Sequence, residues 1–193
     1  MTERTANIIT PEFRVSYEAA FAPRKNDLNG KLEYSVAAIF PKGADLTALK
    51  NAAAKIIADK FGADQSKWPA NMRKPFRRCS ERWKQVEGKQ IIPAGYEDGD
   101  AIFLTLKSAQ KPGIVGSDNQ DIIDPAAFYS GAYARASVRP YFYDQKGNKG
   151  VSFGLQNIQK LRDGDRLGGR PAPQEEFEAV SGGSSSGAAS VFD

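Results

Sequence analysis

The chain has 193 residues and 21.0 kDa, with 40% hydrophobic residues, 26% charged residues and 2 Trp, 7 Tyr and 11 Phe. That is enough for one core-bearing domain with a modest appendage and too little for a large multidomain enzyme. With no His and one Cys, His-based triads, Cys/His zinc sites and an internal disulfide framework are excluded. The formal charge of +4 joins two unlike parts. Residues 171–193 carry Glu175, Glu176, Glu178 and Asp193 without Lys or Arg, so residues 1–170 hold 27 basic against 19 acidic residues, or +8. Such a basic body favours a polyanionic partner, although solubility alone also explains a basic surface.

In chain order, Met1–Thr5 has no apolar signal core, and the longest apolar run, Val36–Phe40, is far too short to span a bilayer, so a cytoplasmic location without membrane contact is expected. Glu12–Glu18 alternates, with Phe13, Val15 and Tyr17 on one face, and predicts a half-buried strand. Lys31–Phe40 predicts a second strand with Leu32, Tyr34, Val36, Ala38 and Phe40 inward. One principal helix is predicted over about 45–61, N-capped by Asp45 and closed by Gly62, with Leu46, Leu49, Ala53, Ile56, Ile57 and Phe61 as its apolar stripe. Residues 63–100 read as irregular. Ala101–Lys107 predicts a strand with Ile102, Leu104 and Leu106 inward and Phe103, Thr105 and Lys107 outward. Ala132–Tyr143 and Gly150–Lys160 predict a hairpin, turned at Asp144–Lys149, where Gly147 and Asn148 suit positive backbone angles. Several strands with one helix predict a mainly β protein, a small barrel or sandwich. From Gly168 onward Gly, Pro and Ser dominate, and 171–193 is expected to be a flexible tail.

Two regions carry recognition chemistry. On the first hairpin strand Ala132, Ala134, Ala136, Val138, Pro140 and Phe142 share one face, and Tyr133, Arg135, Ser137, Arg139, Tyr141 and Tyr143 share the other. Rings stack on unpaired bases and guanidinium groups neutralise phosphate, but the same composition suits a subunit interface, as in a homodimer. Between Lys67 and Lys89, eight basic residues, including Arg73, Lys74, Arg77, Arg78, Arg82 and Lys84, stand against Glu81 and Glu87, with Trp68, Phe76 and Trp83 interleaved. That composition makes an electrostatic track with stacking platforms; a solvated loop with Trp anchors is the alternative, and at least one Trp is expected to be structural.

Enzymatic readings rest on less. Glu97, Asp98 and Asp100 cluster as a Mg²⁺-binding, nuclease-like alternative, although Glu-Asp-Gly-Asp is also a turn composition. Cys79, flanked by Arg77, Arg78 and Arg82, is expected to have a lowered thiol pKa and to be sensitive to oxidation. No phosphate-cradling loop or dinucleotide fingerprint occurs, so no cofactor is implied.

The chain resembles a family of bacteriophage single-stranded DNA-binding proteins with an OB fold. The resemblance lies in Arg14-Val15-Ser16-Tyr17 with Phe21 and Pro23-Arg24, in Tyr34 leading to Phe40-Pro41-Lys42, and in a late block. That block comprises Asp124-Pro125, Phe128-Tyr129-Ser130-Gly131, Tyr133, Gly147-Asn148-Lys149-Gly150, Gly154-Leu155-Gln156-Asn157-Ile158-Gln159-Lys160, Asp163-Gly164 and Leu167-Gly168-Gly169. It implies a five-stranded barrel over residues 1–170, non-catalytic binding of single strands during phage replication and recombination in the host cytoplasm, and an acidic tail that meets replication proteins. The expected phosphate contacts are Arg73, Lys74, Arg77, Arg78, Arg82 and Lys84 from composition, Lys107, and Arg135 and Arg139 on the strand that the resemblance matches. The expected stacking residues are Trp68, Phe76, Trp83, Phe103, Tyr133, Tyr141 and Tyr143. Glu175, Glu176, Glu178, Phe192 and Asp193 are the expected partner contacts of the tail. Duplex DNA is expected to bind more weakly.

Overall fold

A computed structural model describes residues 6–27, 29–145 and 147–168. The elements are β1 (Ile8–Ile9), β2 (Phe13–Lys25), β3 (Leu32–Phe40), α1 (Thr47–Phe61), β4 (Arg77–Arg78), β5 (Lys84–Val86), β6 (Lys89–Ile91), β7 (Ile102–Ser108), β8 (Gly113–Val115), β9 (Tyr133–Gln145) and β10 (Asn148–Arg162). The expected tail and its five partner residues lie outside the described residues.

Five strands pair in a ring, β2 to β3 to β7 to β10 to β9 and back to β2. Every pairing in it is antiparallel except β7 with β10. Its interior is filled by complementary volumes. Phe13, Phe40 and Phe153 come from β2, β3 and β10, while β9 contributes the small Ala134, Ala136 and Val138, all buried. Phe13 meets Phe40 edge to face with ring centroids 5.7 Å apart. α1 packs against β9 and β10 through Leu49 and Ala53, and Phe61 stands edge-on to Phe142 at 5.5 Å. The hairpin alternation read from the sequence holds throughout 132–140.

Three local differences have clear causes. Asp45 Oδ1 accepts from the Thr47 amide, and the helix itself begins one residue later than an Asp45 cap suggested, with Leu46 at the N-cap. Leu32, expected inward, is 62% exposed because it lies where the β2–β3 ladder ends. Tyr17 is the third. The β2–β3 register shifts between Ser16 and Ala19, and Tyr17 takes φ +45° in the resulting bulge. An extra residue in one strand reverses the alternation beyond it, so Tyr17, expected inward, is 50% exposed on the outer face, next to Ser16, which is buried there opposite Ala37.

The stretch expected to be irregular is an insertion between α1 and β7 with its own core. Ile39, Cys79, Tyr96, Ala101 and Phe103 form a second buried cluster on the outside of β3 and β7. The thiol expected to be acidic is corrected by this placement. Cys79 is fully buried, and loss of hydration, followed by the charges of Asp98 and Glu97, pushes its pKa up to about 11 despite Arg82. Among the described residues, no helix is long and apolar enough to cross a membrane.

Two outcomes follow from this packing. Native protein at pH 8 should resist thiol reagents, and urea-unfolded protein should react at Cys79; equal rates would contradict the burial. Gly131, at φ +115°, lets the 163–167 segment cross it so closely that a Cβ would collide with the Asp165 carbonyl. Gly131→Ala is therefore expected to lower unfolding free energy by about 2–3 kcal/mol in urea titrations.

Candidate nucleic-acid interface

β3 and β7 lie side by side and send alternate residues outward. Ser35 faces Lys107, Ala37 faces Thr105 and Ile39 faces Phe103. The small, half-buried Ser35 and Thr105 leave a low surface between two higher borders, with Ala37 buried between them. On one border the insertion covers Phe103, whose ring meets Tyr96 at 5.5 Å and lies beneath Arg82 at 4.9 Å and Arg77 at 5.3 Å. Arg82 also lies 5.7 Å from the centre of the exposed Tyr17 ring, and Tyr17 stands 6.1 Å from Tyr96. The bulge in β2 thus presents an aromatic ring beside a guanidinium at the edge of the partly covered outer face of β3 and β7.

On the other border a basic segment is fastened to the ring at three points. The Arg73 amide donates to the Lys149 carbonyl at 2.9 Å, Phe76 packs edge-on against Phe153 at 5.9 Å, and β4 pairs with β7 so that Arg77 faces Phe103. Gly150 permits this approach, since a Cβ there would sit 2.5 Å from the Arg73 carbonyl oxygen. The result is a cleft of about 230 Å³ lined by Arg73, Lys74, Arg77, Lys107 and Tyr143 over a floor of Leu104, Thr105 and 151–153. Five residues proposed from sequence for DNA contact, scattered over 71 positions between Arg73 and Tyr143, converge on this cleft.

The cations differ in how far their charge is already compensated. Arg77 pairs with Glu81 at 2.9 Å, Arg78 and Lys42 share Asp100 at 3.4 and 3.0 Å, and Lys107 pairs with Glu33 at 3.2 Å. Burial pushes the Glu33 carboxyl up, but hydrogen bonds from Asn26 and Asn29 and the Lys107 ammonium together hold it below its ordinary range. Among the described residues no carboxylate pairs with Arg73, Lys74 or Arg82, and the buried Arg82 Nε has no acceptor. Arg73, Lys74 and Arg82 thus place uncompensated positive charge beside this face and in its cleft.

The remaining sequence candidates fall elsewhere. Phe103 is corrected as a stacking residue, because its ring is 1% exposed and forms the floor under Arg77 and Arg82. Phe76 is half-buried against the core. The Trp68 indole donates to the Gly62 carbonyl at 2.9 Å and the Trp83 indole to the Tyr96 carbonyl at 2.8 Å, so both half-buried rings are tied to backbone. Lys84 projects on the β5–β6 hairpin, away from the cleft.

The Tyr/Arg strand face divides along its length. Tyr143 joins the cleft and Tyr141 is 42% exposed beside it. Arg139 donates to Asn7 and Arg135 to Gln159. Tyr133 is about 33 Å from Tyr143 by strand rise and is covered by the Arg162 guanidinium 3.5 Å from its centre. The acidic trio does not converge: Glu97 accepts from the Gly95 amide, Asp98 from the Asp100 amide, and Asp100 holds Lys42 and Arg78. Among the described residues no three His, Cys, Asp or Glu side chains are grouped to hold a metal ion.

Tyr17 is the ring of this candidate interface that sequence reading placed on the inner face. The signal lay in Glu18-Ala19-Ala20, where alternation breaks and two adjacent small residues are both buried.

Comparison with known proteins agrees with this architecture. Protein p50 of Acyrthosiphon pisum secondary endosymbiont phage 1 is 27% identical over 174 residues, covering 87% of this chain and 90% of that protein. The single-stranded DNA-binding protein from bacteriophage Enc34 superposes with a TM-score of 0.62 at 16% identity, covering 89% of each chain. The same protein solved in complex with ssDNA also gives a TM-score of 0.62, at 15% identity, over 87% of this chain and 100% of that one. The gp2.5 single-stranded DNA-binding protein encoded by bacteriophage T7 gives 0.57 at 13% identity, over 94% of this chain and 100% of that one. Matched from residue 6 to residue 186, nearly its whole length, the chain belongs to the family of the Enterobacter phage Enc34 ssDNA-binding protein.

Proposed function

We propose that this protein is a non-catalytic single-stranded DNA-binding protein that coats unpaired strands with little sequence preference in phage replication and recombination. The five-strand ring is then an OB barrel, and its outer β3–β7 surface corresponds to the second and third strands that such barrels use for oligonucleotides. The observation that carries the reading is the pairing of exposed Tyr17 with Arg82 at one end of this surface and the Arg73, Lys74, Tyr143 cleft at the other. Rings alone would also suit a protein interface, and cations alone any polyanion. Rings alternating with uncompensated cations along a shallow face suit a strand whose phosphates and bases are both accessible.

Family membership and the relative solved with ssDNA support the same reading. Stacking on Tyr17 and Tyr143 requires unpaired bases, so duplex DNA would bind mainly through phosphates and more weakly. The nuclease alternative receives no support from the carboxylates, each of which is already engaged in a turn or an ion pair. The acidic tail, with Glu175, Glu176, Glu178, Phe192 and Asp193, would meet replication proteins and compete with DNA for the basic face.

Tyr17→Ala and Arg82→Ala should each weaken oligo-dT binding, with the Tyr17 change costing about 1–3 kcal/mol, while the melting temperature stays near that of the parent. Trp68→Phe and Trp83→Phe should show the reverse, a stability loss of about 1 kcal/mol with affinity retained. With about 4–6 phosphates contacted, log affinity should fall against log salt with a slope of roughly −3 to −4; a flat salt titration would remove the electrostatic half of the reading. Gly150→Ala should displace the Arg73 segment and weaken binding without unfolding the ring.

A further inference from the structure

Among the described residues the β5–β6 hairpin is a two-stranded sheet of its own, paired with no other strand. Its turn is tight, with Glu87 at φ +50° and Gly88 at φ +76°. Cross-strand pairs are Lys84 with Ile91, Gln85 with Gln90 and Val86 with Lys89. Because successive pairs face opposite sides, Lys84, Ile91, Val86 and Lys89 share one face, with each ammonium opposite an aliphatic side chain. Val86 is 46% and Ile91 49% exposed. β-Branched residues on a protruding hairpin contribute nothing to the core, and an isolated hairpin is at best marginally stable in water.

The root of this hairpin is fixed to the proposed binding face. Trp83, immediately before β5, donates to the Tyr96 carbonyl and packs so tightly over Gly99 that a Cβ there would lie 2.7 Å from the indole ring. Tyr96 in turn touches Tyr17 and Phe103, and Arg82, one residue before Trp83, lies over both. The arm therefore begins beside the Tyr17 end of the face and carries two further cations, with Glu87 at the turn as its one acidic residue.

We infer that the β5–β6 hairpin is a second segment of the DNA track. A strand leaving the β3–β7 face past Tyr17 continues along the hairpin, its phosphates on Lys84 and Lys89 and its bases against Val86 and Ile91. Charge complementarity and continuity with the Arg82–Tyr17 pair select nucleic acid as the occupant. Three residues per strand add about 10 Å to the path. This inference rests on the proposed function, and it predicts a length dependence that the face alone does not supply.

The test uses the full chain and two oligo-dT probes, of about 6 and about 15 nucleotides, within the range of roughly 4–16 occupied per OB fold. The variants are Lys84→Glu with Lys89→Glu, and separately Val86→Ser with Ile91→Ser. Both sets should bind the short probe as the parent does and lose most of the parent's gain on the long one. For the lysine pair, the salt slope on the long probe should shrink by about 1.4, from two phosphates at the single-strand coefficient. An unchanged gain on the long probe would overturn the inference. So would equal losses on both probes, or a loss seen only where several copies share poly-dT, which would make the hairpin a contact between copies. If the parent binds neither probe, the underlying function fails, and that result is distinct from a parent that binds both equally well.

Discussion

The burial of Phe103 determines how the rest of the molecule is arranged. Its position on β7 points away from the ring interior, where a side chain would ordinarily meet water, yet it is sealed by Tyr96, Cys79, Ala101 and Ile39. Burying a Phe ring contributes about 1.5–3 kcal/mol, and here that contribution ties a long insertion to the outside of the ring. Arg77 and Arg82 are consequently fixed over the ring of Phe103. A loop of the same composition without this anchor would present the same charge over a wide volume and would have to be ordered at each binding event.

How much of this was legible from sequence depends on the kind of signal. The β9–β10 hairpin was readable because its period-two pattern extends over a dozen residues and small and large side chains segregate cleanly. The helix was equally clear, and only its first turn differed, because Asp45 hydrogen-bonds ahead of the helix instead of starting it. Five cleft residues were named from composition and alternation, although nothing in their spacing showed that 73–77 would dock beside Lys107 and Tyr143. Docking depends on Phe76 reaching Phe153 and on a glycine at position 150, and both are contacts between distant parts of the chain.

The misreadings share a cause. Phe103, Tyr17 and Cys79 were each placed by a local rule: alternation for the two rings, neighbouring arginines for the thiol. Each rule assumes a two-sided strand with one wet face. The outer face of β3 and β7 is partly dry because the insertion covers it, and β2 has one extra residue between Ser16 and Ala19. A covered second face turns an expected stacking ring into a floor and an expected reactive thiol into a buried one. The bulge turns an expected core ring into an exposed one. The two aromatic positions thus exchange roles, and the composition of the face is conserved while its members change.

Charge compensation follows a similar geometry and, on the proposed function, would let the face accept an anion without rearranging. The ion pairs of Arg77 and Lys107 involve partly exposed side chains, and exposed pairs contribute only about 0–1 kcal/mol. On the proposed function a phosphate would replace Glu81 at little cost, while Glu33, held by Asn26 and Asn29, keeps Lys107 in place. Arg73, Lys74 and Arg82 need no such exchange, since no described carboxylate pairs with them. Arg82 is the most constrained of the three, with its guanidinium between two rings and its Nε buried without an acceptor. A buried donor without a partner is costly, so the contacts of the Arg82 guanidinium with the Tyr17 and Phe103 rings hold the side chain there against that cost.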